Sequence, residues 1–238
     1  MDVIPAIDLI NGKCVRLFQG DYNQKTVYSD DPAAVARRWQ EAGAEMLHIV
    51  DLDGAAAGQP QNLPAIESIL KETGLSVELG GGIRDEATIA RLLEMGIERV
   101  ILGTIALEQP ELTEKLCRKF GGAIVIGIDA RDGFVATHGW KKESTVKAVD
   151  LAQEMAAKGM RRILYTDIKR DGTLTKPGYE AISVLVRSLT VPVVAAGGIA
   201  KLKHLVKLKE LGVEGAVVGK ALYTGDVDLK EAVEALKE

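Results

Sequence analysis

VELGGGIRDEATIARLLEMGIERVILGT, from Val77 to Thr104, returns 116 residues later as VVAAGGIAKLKHLVKLKELGVEGAVVGK, from Val193 to Lys220. Both copies carry a short apolar run, a glycine pair (Gly81-Gly82, Gly197-Gly198) and a longer amphipathic stretch. A glycine stop (Gly96, Gly212) then leads into a second β-branched run and a closing glycine (Gly103, Gly219). A short β-branched run followed by a 3.6-period stretch and another β-branched run reads as strand, helix, strand. The helix returns the chain to the end of the sheet where it began, so the two strands are parallel.

The same rhythm extends over the whole chain. Eight candidate strands (Val3–Ile7, Met46–Val50, Ser76–Leu79, Arg99–Leu102, Ala123–Ile128, Arg162–Thr166, Val191–Ala195, Gly215–Val218) alternate with helical patterns. The helical patterns are Pro32–Ala42, Leu63–Thr73, Asp85–Met95, Pro110–Phe120, Thr145–Lys158, Tyr179–Leu189, Lys201–Leu211 and Asp228–Leu236. Asp31-Pro32, Asn62, Gln109-Pro110 and Pro177 read as helix starts. Two further stretches repeat in the same order: AGAEMLHIVDLDGA from Ala42 with KGMRRILYTDIKRDG from Lys158, and IDLING from Ile7 with IDARDG from Ile128. Together these predict one α/β domain over residues 1–238, a (β/α)8 TIM barrel with a two-fold internal repeat and half-barrels of about 1–120 and 121–238.

Length and composition suit that fold: 238 residues, 47% apolar, only 4% aromatic, and 25 glycines for tight turns. A net charge of −4 with interspersed signs offers no basic surface to track phosphate backbones, so nucleic acid is not expected as a partner. Cys14 and Cys117 stand alone, without zinc or disulfide spacing. The start, MDVIPAIDLINGK, lacks a basic region before an apolar stretch, and no apolar run approaches a membrane span. The expectation is a soluble cytoplasmic protein, with no membrane contact, acting as a monomer.

Barrel active sites lie at the C-terminal ends of the strands, on the loops that follow. The candidates there are Asp8, Asp51 and Asp53, Gly80 to Gly82, Gly103-Thr104, Asp129, Asp167 and Asp171, Gly197-Gly198 and Gly219-Lys220. Glycines directly before helices let an anion approach backbone N–H groups. Two such sets, one per half, predict a small-molecule ligand with two phosphates at opposite rims of the mouth. Asp8 and Asp129, on strands one and five, face each other, and a carboxyl on each side suits a reaction that delivers one proton and removes another. Each aspartate alone also reads as ordinary turn chemistry. His48 reads equally as a structural histidine or a substrate contact. Trp140 is placed to stack on a planar ring, and Gln19 to Ser29 is read as a mobile polar lid. No HExxH, GxSxG or GxxxxGK[ST] pattern occurs.

VIPAIDLINGKCVRLFQGD, HIVDLDGA, ELGGGIR, GIDARDG, THGW, TDIKRDGT and AAGGI together resemble the phosphoribosylformimino-aminoimidazole carboxamide ribotide isomerase family of histidine biosynthesis, over essentially the whole chain. The resemblance implies a cofactor-free, metal-free Amadori rearrangement of an aminoaldose bisphosphate nucleotide to the aminoketose. It implies Asp129 as the general acid on the ribose ring oxygen and Asp8 as the base at C2′. Thr166 and Asp171 would contact the opened sugar, and Trp140 would stack on the imidazole. Gly82, Gly103 and Thr104 would hold one phosphate; Gly198, Gly219 and Lys220 would hold the other. Cys14 stands where the family more often has an aliphatic residue. The alternatives are the sister cyclase, whose pattern differs at QGDYNQKTVYSDDP and THGW, and a dual-specificity isomerase that also takes phosphoribosyl anthranilate. That variant carries an arginine in the region where His138 stands. A third alternative is a non-catalytic phosphosugar-binding barrel, which would have no need of two unpaired acids at its centre.

Overall fold

The computed structural model describes residues 1–237. Eight strands close a parallel ring: β1 (Asp2–Ile10), β4 (Met46–Asp51), β5 (Ser76–Gly80), β6 (Arg99–Leu102), β7 (Ile124–Arg131), β10 (Ile163–Asp167), β11 (Val193–Ala196) and β12 (Gly215–Val218). The ring shuts where β12 pairs with β1, Asp2 opposite Gly215 and Pro5 opposite Val218. Outside it lie α1 (Pro32–Glu41), α2 (Leu52–Ala57), α3 (Leu63–Glu72), α4 (Glu86–Glu94), α5 (Thr104–Glu108) and α6 (Pro110–Phe120). The second half adds α7 (Ala148–Ala157), α8 (Tyr179–Ser188), α9 (Leu202–Glu210), α10 (Lys220–Thr224) and α11 (Leu229–Leu236). The chain is therefore a (β/α)8 barrel.

Alternation along the strands decides which side chains face inward. On β1, Val3, Ile7 and Leu9 pack against the helices, while Ile4 and Ala6 fill the barrel. On β7, Ile124, Ile126 and Ile128 face the helices and Val125 faces inward. Continuing the inward series two residues past Ala6 and four past Val125 brings the chain to Asp8 and to Asp129 at the top of the barrel.

Two regions depart from the sequence reading. The supposed lid is a two-stranded ribbon: β2 (Lys13–Phe18) pairs antiparallel with β3 (Asp21–Ser29), and β2 in turn pairs with β1. β3 is accessible along its whole length, so its side chains show none of the apolar alternation that marks a half-buried strand. The helix expected from Thr145 starts at Ala148, because Lys142–Lys147 forms β9 against β8 (Phe134–Thr137). Each half of the barrel thus adds a ribbon directly after its aspartate-bearing strand.

Helix starts follow the sequence where a cap exists. Asp31 accepts from the Ala34 N–H at 2.9 Å ahead of Pro32, and Asp228 likewise accepts from Glu231 at 2.8 Å. Asn62 heads α3 but does not cap it with its side chain. Its amide donates instead to Asp51 at 2.6 Å and to Asp53 at 2.9 Å. Past Pro177, α8 begins only at Tyr179.

Candidate active site

The glycine pairs form matching turns in the two halves. Gly81 has φ of 111°, and a Cβ there would lie 2.2 Å from the Asp51 carbonyl oxygen; Gly197 has φ of 93° and 2.6 Å to the Asp167 carbonyl. Only glycine tolerates both the left-handed backbone and that approach. Asp51 is fully buried and accepts from Gly54 N, Gln61 N, Asn62 N and the Asn62 amide at 2.6–2.9 Å. Asp167 holds Arg170 at 3.0 Å. Asp51 is spent in building its loop, and Asp167 ties its own loop to Arg170.

A cavity of about 200 Å³ opens over the ring. Asp8, Asp129, Thr166, Asp171, Trp140, Gly82, Gly103 and Thr104 all line it, with His48 and Arg16. Beyond Arg16 a smaller chamber of about 30 Å³ holds Gly198, Gly219 and Lys220. Arg16 and Asp171 face both spaces, so the second glycine rim is divided from the first by a guanidinium. A Cβ on Gly219 would sit 2.4 Å from Arg16 Nη2, so the guanidinium packs directly on that glycine. The Lys220 ammonium donates to the Gly172 carbonyl at 3.0 Å, and the Thr104 hydroxyl accepts from His138 N at 3.0 Å.

The two central aspartates sit in different surroundings. Asp8 is not unpaired, contrary to the sequence reading: Arg16 Nη1 lies 2.9 Å from its Oδ2, and Arg16 Nη2 reaches Asp171 at 3.5 Å. Burial pushes the Asp8 carboxyl up, Arg16 and His48 pull it down, and Asp171 pushes it up again. Asp129 is also raised by burial, but the groups opposing that rise most are neutral donors, Trp140 and Thr166, with His48 contributing less. Asp171 is raised by burial against Arg16, His48, a backbone N–H and Lys220. Without a cation beside it, a buried carboxyl favours its protonated form.

Trp140 and the β2–β3 ribbon lock together. An ideal Cβ on Gly20 would lie 2.2 Å from the indole Cε3, so the ring is seated directly on the Gly20 backbone. The ribbon is tied to the loop after β10 as well, with Gln19 donating to the Asp171 carbonyl at 3.3 Å and to the Lys169 carbonyl at 2.7 Å.

Sequence reasoning missed Arg16 and the partner of His48. Arg16 stands in KCVRLF, and a charge flanked on both sides by apolar residues was the signal for it. Cys14 is buried as expected, and burial lifts its thiol to about 12. Among the described residues, no cluster of three or more His, Cys, Asp or Glu side chains could hold a metal ion, and no helix is long and apolar enough to cross a membrane.

Residues 2–228 match the family model described as Histidine biosynthesis protein. A protein of Gloeothece citriformis (strain PCC 7424) is 54% identical over 239 residues, covering 99% of this chain and 93% of its own. One of Dehalococcoides mccartyi (strain CBDB1) is 52% identical, covering 99% and 97%, and one of Herpetosiphon aurantiacus is 52% identical, covering 100% and 99%. All three are named 1-(5-phosphoribosyl)-5-((5-phosphoribosylamino)methylideneamino) imidazole-4-carboxamide isomerase. A family match over nearly the whole chain, and relatives above half identity along its full length, make this chain a member of the histidine biosynthesis protein family.

Proposed function

We propose that the protein isomerises the phosphoribosylformimino-aminoimidazole carboxamide ribonucleotide from aminoaldose to aminoketose, as a monomeric cytoplasmic enzyme using its own side chains and no cofactor. The observation that carries this reading is the unequal pair of buried carboxyls on one cavity: Asp8 against Arg16 at 2.9 Å, Asp129 among neutral donors. Burial raises both carboxyls, but a guanidinium opposes that rise at Asp8 and neutral donors oppose it most at Asp129. Unlike surroundings of this kind are what a division into base and acid requires.

Asp129 gives its proton to the ring oxygen O4′. The C1′–O4′ bond breaks as the lone pair on the nitrogen at C1′ forms a C1′=N bond. Asp8 then takes the C2′ proton. The C2′–H electrons become a C1′=C2′ bond and the nitrogen recovers its lone pair. Loss of the O2′ proton and gain of one at C1′ leaves the ketone at C2′. Gly82, Gly103 and Thr104 hold one phosphate and Gly198, Gly219 and Lys220 the other, so the sugar lies between the acids. Thr166 and Asp171 contact the opened sugar, and Trp140 covers the imidazole. The family names of the relatives and the two glycine rims support the same substrate.

Turnover of this bisphosphate by the purified protein in EDTA tests the reading. Asp8→Asn and Asp129→Asn are each expected to lower kcat by about 10²–10⁴, and undiminished turnover in either overturns the assignment. Phosphoribosyl anthranilate, assayed alongside, is expected to be left unchanged. His138 faces Glu108 at 3.7 Å where the dual-specificity variant carries its arginine.

A further inference from the structure

One inward step below Asp8 and Asp129, the barrel interior is apolar except on one side. On a single rung, Ala6 pairs with His48, His48 with Glu78, and Glu78 with Arg99. The corresponding rung of the second half reads Gly127, Leu164, Val194, Gly215. The two rungs occupy equivalent places in the internal repeat, so apolar side chains demonstrably fill this position in the same fold. Two ionisable side chains are nonetheless buried in the first half, with His48 at 7% and Glu78 at 1% exposure. Burying such a pair contributes little to stability compared with apolar residues of similar volume. Packing therefore does not account for them.

His48 Nδ1 lies 2.7 Å from Glu78 Oε1. Among the described residues, the second carboxylate oxygen of Glu78 has no hydrogen-bond partner, and Arg99 Nη1 lies 4.0 Å from it. The hydrogen-bonding capacity of Glu78 is thus directed at one atom, His48 Nδ1. The imidazole itself lines the cavity that holds Asp8 and Asp129. Among the described residues, the hydrogen bond of the ring is made by Nδ1, which leaves Nε2 as the ring nitrogen for a ligand. A histidine whose Nδ1–H is held by a carboxylate has its ring plane and tautomer fixed by that bond.

We propose that Glu78 is a positioning residue that anchors His48 through Nδ1–H, so that Nε2 is aimed into the cavity at a hydroxyl of the opened sugar. The inference rests on the isomerase reading for the identity of that hydroxyl. The anchor itself rests only on the geometry of the rung.

Three variants and one spectrum test it. Glu78→Val installs the side chain found at the equivalent place in the second half; kcat is expected to fall about 10²-fold, the cost of a misplaced contact. KM is expected to stay within about threefold, because the contact strengthens with the reaction rather than with binding. Glu78→Gln keeps an acceptor for Nδ1–H and is expected to retain kcat within about threefold of wild type. The double variant His48→Leu with Glu78→Val makes the first rung match the second; it is expected to melt no lower than wild type while turning over slowly. Imidazole ¹⁵N resonances of the wild-type protein are expected to show Nδ1 protonated throughout the pH range of activity. Wild-type kcat in Glu78→Val, a Gln variant as slow as the Val variant, or an unprotonated Nδ1 would each overturn the proposal. The spectrum requires neither a substitution nor turnover. Failure of the wild-type protein to isomerise the bisphosphate would sink the functional reading and leave the anchor standing or falling on the ¹⁵N signal.

Discussion

The two halves of this barrel share a scaffold and differ in what they place on it. Asp51 and Asp167 lie under glycines of the same backbone form, and Gly103 and Gly219 begin five-residue helices with φ of −102° in both. On that common frame, the first half carries Arg16 against Asp8 and His48 against Glu78. The second half answers with Thr166 and Trp140 beside Asp129 and with Leu164 and Val194 inside the ring. Backbone symmetry supplies two matching glycine rims, and side-chain asymmetry gives the two buried carboxyls unlike surroundings. Under the proposed function, the repeated residues would hold the ligand, while the unrepeated ones would divide the chemistry.

The glycine turns test the shared frame most severely. Gly81→Ala and Gly197→Ala each force a Cβ into a backbone carbonyl, at 2.2 Å and 2.6 Å, on a left-handed backbone. Each is expected to cost about 3 kcal/mol or more, with Gly81→Ala the worse of the two. Urea unfolding checks the order, and equal midpoints with wild type would show that the turns relax freely.

Arg16→Met tests the asymmetry next. Arg16 lowers the Asp8 carboxyl, so its removal lets that carboxyl rise further. Asp8 must be ionised to act as a base, so the acid limb of kcat/KM is expected to move to higher pH. Activity then falls about tenfold for each unit of displacement on that limb. An acid limb that stays in place would separate Arg16 from the base.

Asp129→Asn reads the same burial as a stability effect. The folded Asp129 carboxyl is raised above its ordinary 3.8. Its contribution to folding is therefore intact below that value and lost as pH climbs through the raised one. The asparagine variant is expected to melt higher than wild type at neutral pH, by about 2–4 °C for each kcal/mol relieved. The gap closes once pH falls below 3.8.

Helix caps give the smallest difference. Asp85 caps α4 by accepting from Thr88 N at 2.9 Å, while the equivalent residue before α9 is Lys201, with no side-chain cap. Asp85→Ala is expected to cost about 1 kcal/mol, and Lys201→Asp to add up to about that much, both measured by thermal melting.

Periodicity, glycine placement and the repeat sufficed to specify eight parallel strands, the closed ring and the rims, because these depend on local pattern and on which backbone angles glycine alone permits. The same pattern placed Asp8 and Asp129 at strand ends. It also offered Asp51 and Asp167 as strand-end acids, and only folding showed the Asp51 oxygens consumed within its loop and Asp167 paired with Arg170. The β3 arm of the ribbon escaped notice because an exposed strand has no face to bury and so leaves no alternation. Arg16, 8 residues along the chain from Asp8, becomes its partner only when β2 folds back on β1. Glu78 reaches His48, 30 residues away, only across neighbouring strands of the ring. Sequence spacing carries a side chain's type and its facing along one element. Partnership between elements, and with it the ionisation of each acid, follows from distances that exist only once the ring has closed.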